Sequence, residues 1–78
     1  MLVEIVTPTK NVFSGMVQRI KLPGSKGSFE MLHNHAPIIS TLDTGQIVLF
    51  DEQGKEHVFD ITGGVVEQAQ NKVIVLVE

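Results

Sequence analysis

The densest set of groups able to do chemistry is His33-Asn34-His35, with Glu30 just before it and His57 farther along. On a β-strand, side chains two positions apart point the same way, so His33 and His35 can in principle chelate one metal ion. The residues that follow argue against it. Ala36-Pro37-Ile38-Ile39-Ser40-Thr41 contains no acid, the next one being Asp43, and Pro37 predicts a bend rather than a continuing strand. A polar loop whose imidazoles bond to backbone or solvent is the simpler reading.

Other candidates are weaker. Ser14, Ser25, Ser28 and Ser40 have no helix after them to form a nucleophile elbow. Asp43, Asp51, Glu52 and Glu56 lie in or near turns and read as solvated, and Asp60 reads as facing outward from a strand. Pro23-Gly24-Ser25-Lys26-Gly27-Ser28 resembles a phosphate cradle only superficially. A P-loop needs Gly-Lys-Ser/Thr leading into a helix, whereas here the lysine precedes the second glycine and a strand follows. Lys26 is better read as the tip of a protruding loop, and loops on a rigid scaffold often carry contact residues.

These residues must be positioned by short elements. Turn signals recur at Thr7-Pro8, Ser14-Gly15, Pro23-Gly24, Asp43-Thr44-Gly45, Asp51 to Gly54, Gly63-Gly64 and Asn71. The segments between them are rich in Val and Ile and show no sustained helical stripe, which predicts a two-layer antiparallel β-sandwich of about ten short strands within one domain over residues 1–78. Candidate strands are residues 2–7, 12–13, 16–22, 27–32, 38–41, 46–50, 56–61, 65–70 and 72–77. In the third, Met16, Ile20 and Leu22 are expected to share one face with Gln18, leaving Val17, Arg19 and Lys21 on the other. Asn71 is expected to take the positive-φ position of the last turn.

The 78 residues carry a formal net charge of −3, no Cys, no Trp, no Tyr and four Phe. Neither a disulfide nor a thiolate metal site is available, and the scattered basic residues and scarce aromatics argue against nucleic acid as a partner. The longest apolar run, at residues 73–77, is far short of a bilayer span, and the N-terminus does not read as a signal peptide, so a soluble intracellular protein is expected. Residues 46–50 and 73–77 are apolar on both faces, and Leu2, Val3, Ile5 and Val6 add a third such segment. Only one face of a strand can meet the core of a sandwich, so the surplus predicts a partner interface.

Several features in order resemble one family. Val3-Glu4-Ile5-Val6-Thr7-Pro8, Val12-Phe13-Ser14-Gly15 and Leu22-Pro23-Gly24-Ser25-Lys26-Gly27 are similar to the opening of bacterial F-type ATP synthase epsilon subunits. His35-Ala36-Pro37, Thr44-Gly45-Gln46-Ile47, Ile61-Thr62-Gly63-Gly64-Val65-Val66-Glu67 and Val73-Ile74-Val75-Leu76 continue the likeness to the end of the chain. His33-Asn34 stands where that family commonly has Pro-Gly, and Glu30 where it commonly has a further glycine.

The resemblance implies a ten-stranded sandwich in the central stalk of a proton-translocating rotary motor, on the cytoplasmic face of the bacterial inner membrane. It implies a non-catalytic rotor subunit, without cofactor, that links the gamma subunit to the c-ring. Gly24, Ser25, Lys26, Gly27, Ser28, His33, Asn34 and His35 would then face the c-ring. Val73, Ile74, Val75, Leu76 and Val77 would supply apolar surface to gamma. Most members continue into a two-helix hairpin after the last strand; this chain stops at Glu78. The expectation is a short form, with neither the restraint of hydrolysis nor the nucleotide binding of that hairpin. The alternatives are a cupin-like metal-binding protein or enzyme using His33 and His35, and a generic sandwich module with another partner.

Overall fold

A computed structural model of the protein describes residues 1–33 and 36–78; the expectations for Asn34 and His35 lie outside the described residues. Among the described residues there are eight strands: β1 (Leu2–Val6), β2 (Asn11–Leu22), β3 (Phe29–Leu32), β4 (Ile38–Leu42), β5 (Gly45–Asp51), β6 (Glu56–Ile61), β7 (Gly64–Ala69) and β8 (Lys72–Val77). The larger layer runs β4-β7-β8-β1 and ends on the first half of β2, and the smaller runs β3-β2-β5-β6 on its second half. The sandwich is thus one curled sheet hinged on β2. The nine candidate strands become eight, against the about ten expected, because the two short strands expected at residues 12–13 and 16–22 are one. Ser14 and Gly15 are not a turn but lie inside β2, paired with Glu4 and Val3.

A bulge in β2 changes which residues face inward. Val17 pairs with Asp51 and Arg19 with Phe50, so Gln18 is an extra residue in the ladder. The alternation slips by one there. Val17, Ile20 and Leu22 are buried, Gln18 and Arg19 both face out, and Met16, expected in the core, is 51 % exposed. The same kink turns the strand from one layer into the other.

One pairing departs from the antiparallel expectation: β1 and β8 are parallel, Leu2 opposite Lys72 through Val6 opposite Leu76. The β7–β8 hairpin turns at Gln70 and Asn71, with φ of 52° and 62°, the conformation of a type I′ turn. Asn71 takes the position expected of it, and Gln70 adopts positive φ as well.

The core is filled from both layers by Val3, Ile5, Val66, Val73 and Val75 on one side and Ile20, Leu22, Met31, Ile47 and Leu49 on the other, all fully buried. Each such side chain contributes about 1.5–3 kcal/mol relative to exposure. At the open side of the sandwich, the Phe13 ring meets His57 edge-on at 5.3 Å and Phe59 at 5.9 Å, joining the first half of β2 to β6.

Candidate docking surfaces

The outward face of the larger layer is apolar. Ile39 is 73 % exposed, Leu76 53 % and Val65 40 %. The register sets Val65 beside Leu76 and Leu76 beside Val6, and places Glu67 between Ile39 and Ile74. At the far edge Leu2 pairs with Met16, which continues the patch onto β2. The face carries one ion pair among the described residues, Lys72 Nζ to Glu4 Oε1 at 3.5 Å. Strand β8 divides the five residues expected at an interface. Val73, Val75 and Val77 point into the protein's own core and have no surface to offer, which corrects the expectation for those three. Ile74 is half-buried and Leu76 exposed on the opposite side, because successive side chains of a strand alternate. Ile39, Val65 and Met16 belong to this face although sequence reasoning did not mark them as interface residues. The signal for Val65 was its place beside Val66 in a two-residue apolar run, where one of the pair must face out.

The smaller layer presents a different outer face. The Arg19 guanidinium sits 4.1 Å above the centre of the Phe50 ring and 3.4 Å from Glu30 Oε2. Gln46 Nε2 donates to Asp60 Oδ1 at 3.0 Å across the β5–β6 pair. Lys21 lies between Glu30 and Val48 in register. Leu32 and Val58 are exposed there, but between charged neighbours.

Among the described residues expected to face a c-ring, His33 is not brought together with the 24–28 loop. The 24–28 loop joins β2 to β3 at the end of the sandwich that holds Leu42, Asp43 and Gly63. His33 lies in the turn after β3, at the other end, beside Met1, Met16 and Glu52. Antiparallel pairing of β3 with β2 from Leu22–Phe29 to Arg19–Leu32 carries the chain away from the loop, which puts His33 at the other end of the strand. Within the loop, Gly24 is required by space, since a Cβ there would stand 2.7 Å from both the Gly27 carbonyl oxygen and the Phe29 ring. Gly27 has φ +123°, which L side chains rarely adopt. Lys26 is exposed at the tip. At the same end, an open cleft of about 910 Å³ is floored by Val6, Leu42, Val65 and Leu76 and rimmed by Asp43 and Glu78.

The histidines do not assemble a metal centre among the described residues, where no group of three or more His, Asp or Glu is placed to hold an ion. His33 is beyond the end of β3, outside the strand geometry that chelation by alternate residues needs. His57, on β6, instead bonds Asp51 Oδ2 at 2.9 Å. Asp51 also accepts the backbone N–H groups of Gln53 and Lys55 at Oδ1, each at 2.9 Å, and so closes the β5–β6 turn. The His57 bond, followed by the Lys55 and Gln53 amides, holds the Asp51 carboxyl below its ordinary range against the opposing effect of burial. These contacts make Asp51 a turn-closing residue rather than a free acid.

Comparison with known proteins agrees with this architecture. The family model described as ATP synthase, Delta/Epsilon chain, beta-sandwich domain matches residues 1–78. The ATP synthase epsilon chain of Desulfatibacillum aliphaticivorans is 46 % identical over 77 residues, covering 99 % of this chain and 55 % of that one. The epsilon chain of Chlorobaculum tepidum is 40 % identical over 75 residues, covering 96 % of this chain and 85 % of that one. This chain therefore spans about half the length of the first relative and most of the second. Among solved structures, a chain of the Euglena gracilis mitochondrial ATP synthase superposes with a TM-score of 0.90 at 17 % identity, covering 99 % of this chain and 49 % of that one. A chain of the Tetrahymena thermophila mitochondrial ATP synthase central stalk and c-ring gives 0.79 at 24 % identity, covering 99 % and 62 %. Likeness at these identities concerns the fold, but the family model and the relatives reach further: the chain belongs to the β-sandwich domain family of ATP synthase delta and epsilon chains.

Proposed function

We propose that this protein is a non-catalytic rotor subunit of a proton-translocating ATP synthase, joining the gamma subunit to the c-ring so that ring rotation and ATP synthesis stay coupled. Its place would be peripheral, on the cytoplasmic face of a bacterial inner membrane. The observation that carries the reading is the apolar outer face of the larger layer, centred on Leu76, Val65 and Ile39, which the chain leaves uncovered. That face is the surface offered to gamma, with Ile74 and Leu76 retained from the sequence expectation. The 24–28 loop is the element offered to the c-ring, and His33, at the opposite end, is not included. The energetic role is burial, at about 25 cal/mol per Å² of apolar area before the costs of association.

The test is reconstitution. Membranes stripped of this subunit should bind the purified protein stoichiometrically and recover proton-coupled ATP synthesis. Binding without restored coupling would leave a docking module and remove the rotor role, and no binding would remove both.

A further inference from the structure

The 24–28 loop is held by residues that are not part of it. The Ser25 N–H donates to the Thr41 carbonyl at 3.0 Å and the Asp43 N–H to the Pro23 carbonyl at 2.8 Å, while Gly24 bridges Leu42. Side chains repeat the link in one direction: the Thr41 hydroxyl donates to Ser25 Oγ at 2.8 Å, and the Ser25 hydroxyl donates to Asp43 Oδ1 at 3.1 Å. A carboxylate only accepts, so Asp43 fixes the sense of both hydroxyls. Lys26 follows immediately, exposed, with no ion-pair partner among the described residues. The nearest acid in this network, Asp43, is already engaged by Ser25.

We propose that Asp43 and Thr41 are positioning residues that aim a preformed, cation-tipped loop at a carboxylate on the ring partner. The proposal rests on the rotor reading above and adds to it the chemistry of the contact and the residues that set its geometry. A lysine ammonium offers three donors and no acceptor, and the Ser28 hydroxyl beside it can donate as well, so the complementary group is a hydrogen-bond acceptor that carries negative charge. A lysine on a slack loop loses much of its attraction to the entropy of ordering. Here the hydrogen-bond ladder to β4 has ordered the backbone beforehand. The strut also closes the outer edge of β4, since the Thr41 carbonyl that a stray strand would seek is taken by Ser25.

The experiment is a binding titration on membranes that carry the ATP synthase but have been stripped of this subunit, run from low to high NaCl. Lys26→Gln should weaken binding about three- to tenfold at low salt and flatten its salt dependence. Asp43→Asn and Thr41→Val should each speed hydrogen exchange at the Ser25 amide and weaken binding about threefold. The Asp43→Asn/Lys26→Gln double variant should bind no more weakly than Lys26→Gln alone, because Asp43 acts through Lys26. Losses that add in full, or wild-type binding by Lys26→Gln or by both strut variants, overturn the proposal and leave the rotor reading standing. Failure of the wild-type protein to bind removes the rotor reading and this proposal with it.

Discussion

The two outer faces of the sandwich both carry apolar side chains and treat them in opposite ways. On the smaller layer, Phe50 is roofed by the Arg19 guanidinium, which Glu30 holds in place, and Asp60 is bonded to Gln46. On the larger layer, Val65, Leu76 and Val6 lie side by side, with Ile39 and Ile74 in the next row and one Lys72–Glu4 pair at its edge. The difference shows that an excess of Val and Ile in a sequence does not locate an interface. What locates it is the failure of the chain's own charged side chains to cover that excess, and this depends on which strands are neighbours.

The strongest way to break the comparison is within β8. Val75→Asp, fully buried, should abolish folding, as read by loss of cooperative urea unfolding and of amide protection. Leu76→Asp, one residue on, should leave stability within about 1 kcal/mol of wild type yet reduce binding to stripped ATP synthase membranes at least tenfold. A Leu76→Asp protein that binds normally would sink the docking role of this face. Ile20→Ala, behind the β2 bulge, should cost about 2–5 kcal/mol in urea titration, whereas Met16→Ala should cost under about 1 kcal/mol. Equal costs would mean that the bulge does not set the inward face. On the smaller layer, Arg19→Ala should lose about 0.5–1 kcal/mol, the sum of a half-exposed ion pair and a cation–π contact, with membrane binding unchanged. A binding loss there would move part of the interface to the other face.

The smallest effect expected is on pH dependence. The Asp51 carboxyl titrates below its unfolded value, so its contribution is complete above the ordinary carboxylate range and is lost as pH falls through the lower, folded value. The urea midpoint of the wild type should therefore fall more steeply than that of Asp51→Asn as pH drops below about 4. Parallel curves would remove the His57 and turn-amide bonds from the account.

Much of this was legible in the sequence, and the rest was hidden for identifiable reasons. The all-β class, the Asn71 turn and the 24–28 loop follow from local chemistry: β-branched runs, a residue tolerant of positive φ, and paired glycines. The apolar excess of residues 73–77 was also visible. Its division into core and surface was not, because alternation fixes two faces without saying which one the core occupies. The inward set of β2 was misread because alternation was assumed unbroken through Gln18, and a bulge leaves no mark in residue type. Gly15 looked like a turn because glycine is usually punctuation, yet tertiary pairing with Val3 kept it in a strand. The separation of His33 from Lys26 was not visible in the sequence, for a spatial reason. They are near in sequence, but β3 runs between them and puts them at opposite ends.

The parallel contact of β1 with β8 bears on how the molecule is made. Leu2 has one neighbour in Met16, translated soon after it, and the other in Lys72, far along the sequence, so on the ribosome one edge of β1 waits until nearly all the other strands have been translated. The β1–β2, β2–β3, β5–β6 and β7–β8 hairpins each join nearby segments, whereas the β1–β8 contact that completes the larger layer closes last. Such distant closure places folding toward the slow, millisecond-to-second end of the range for small proteins. During that wait one edge of β1 is greasy and unpaired, exposed to chaperones and to other nascent copies of itself.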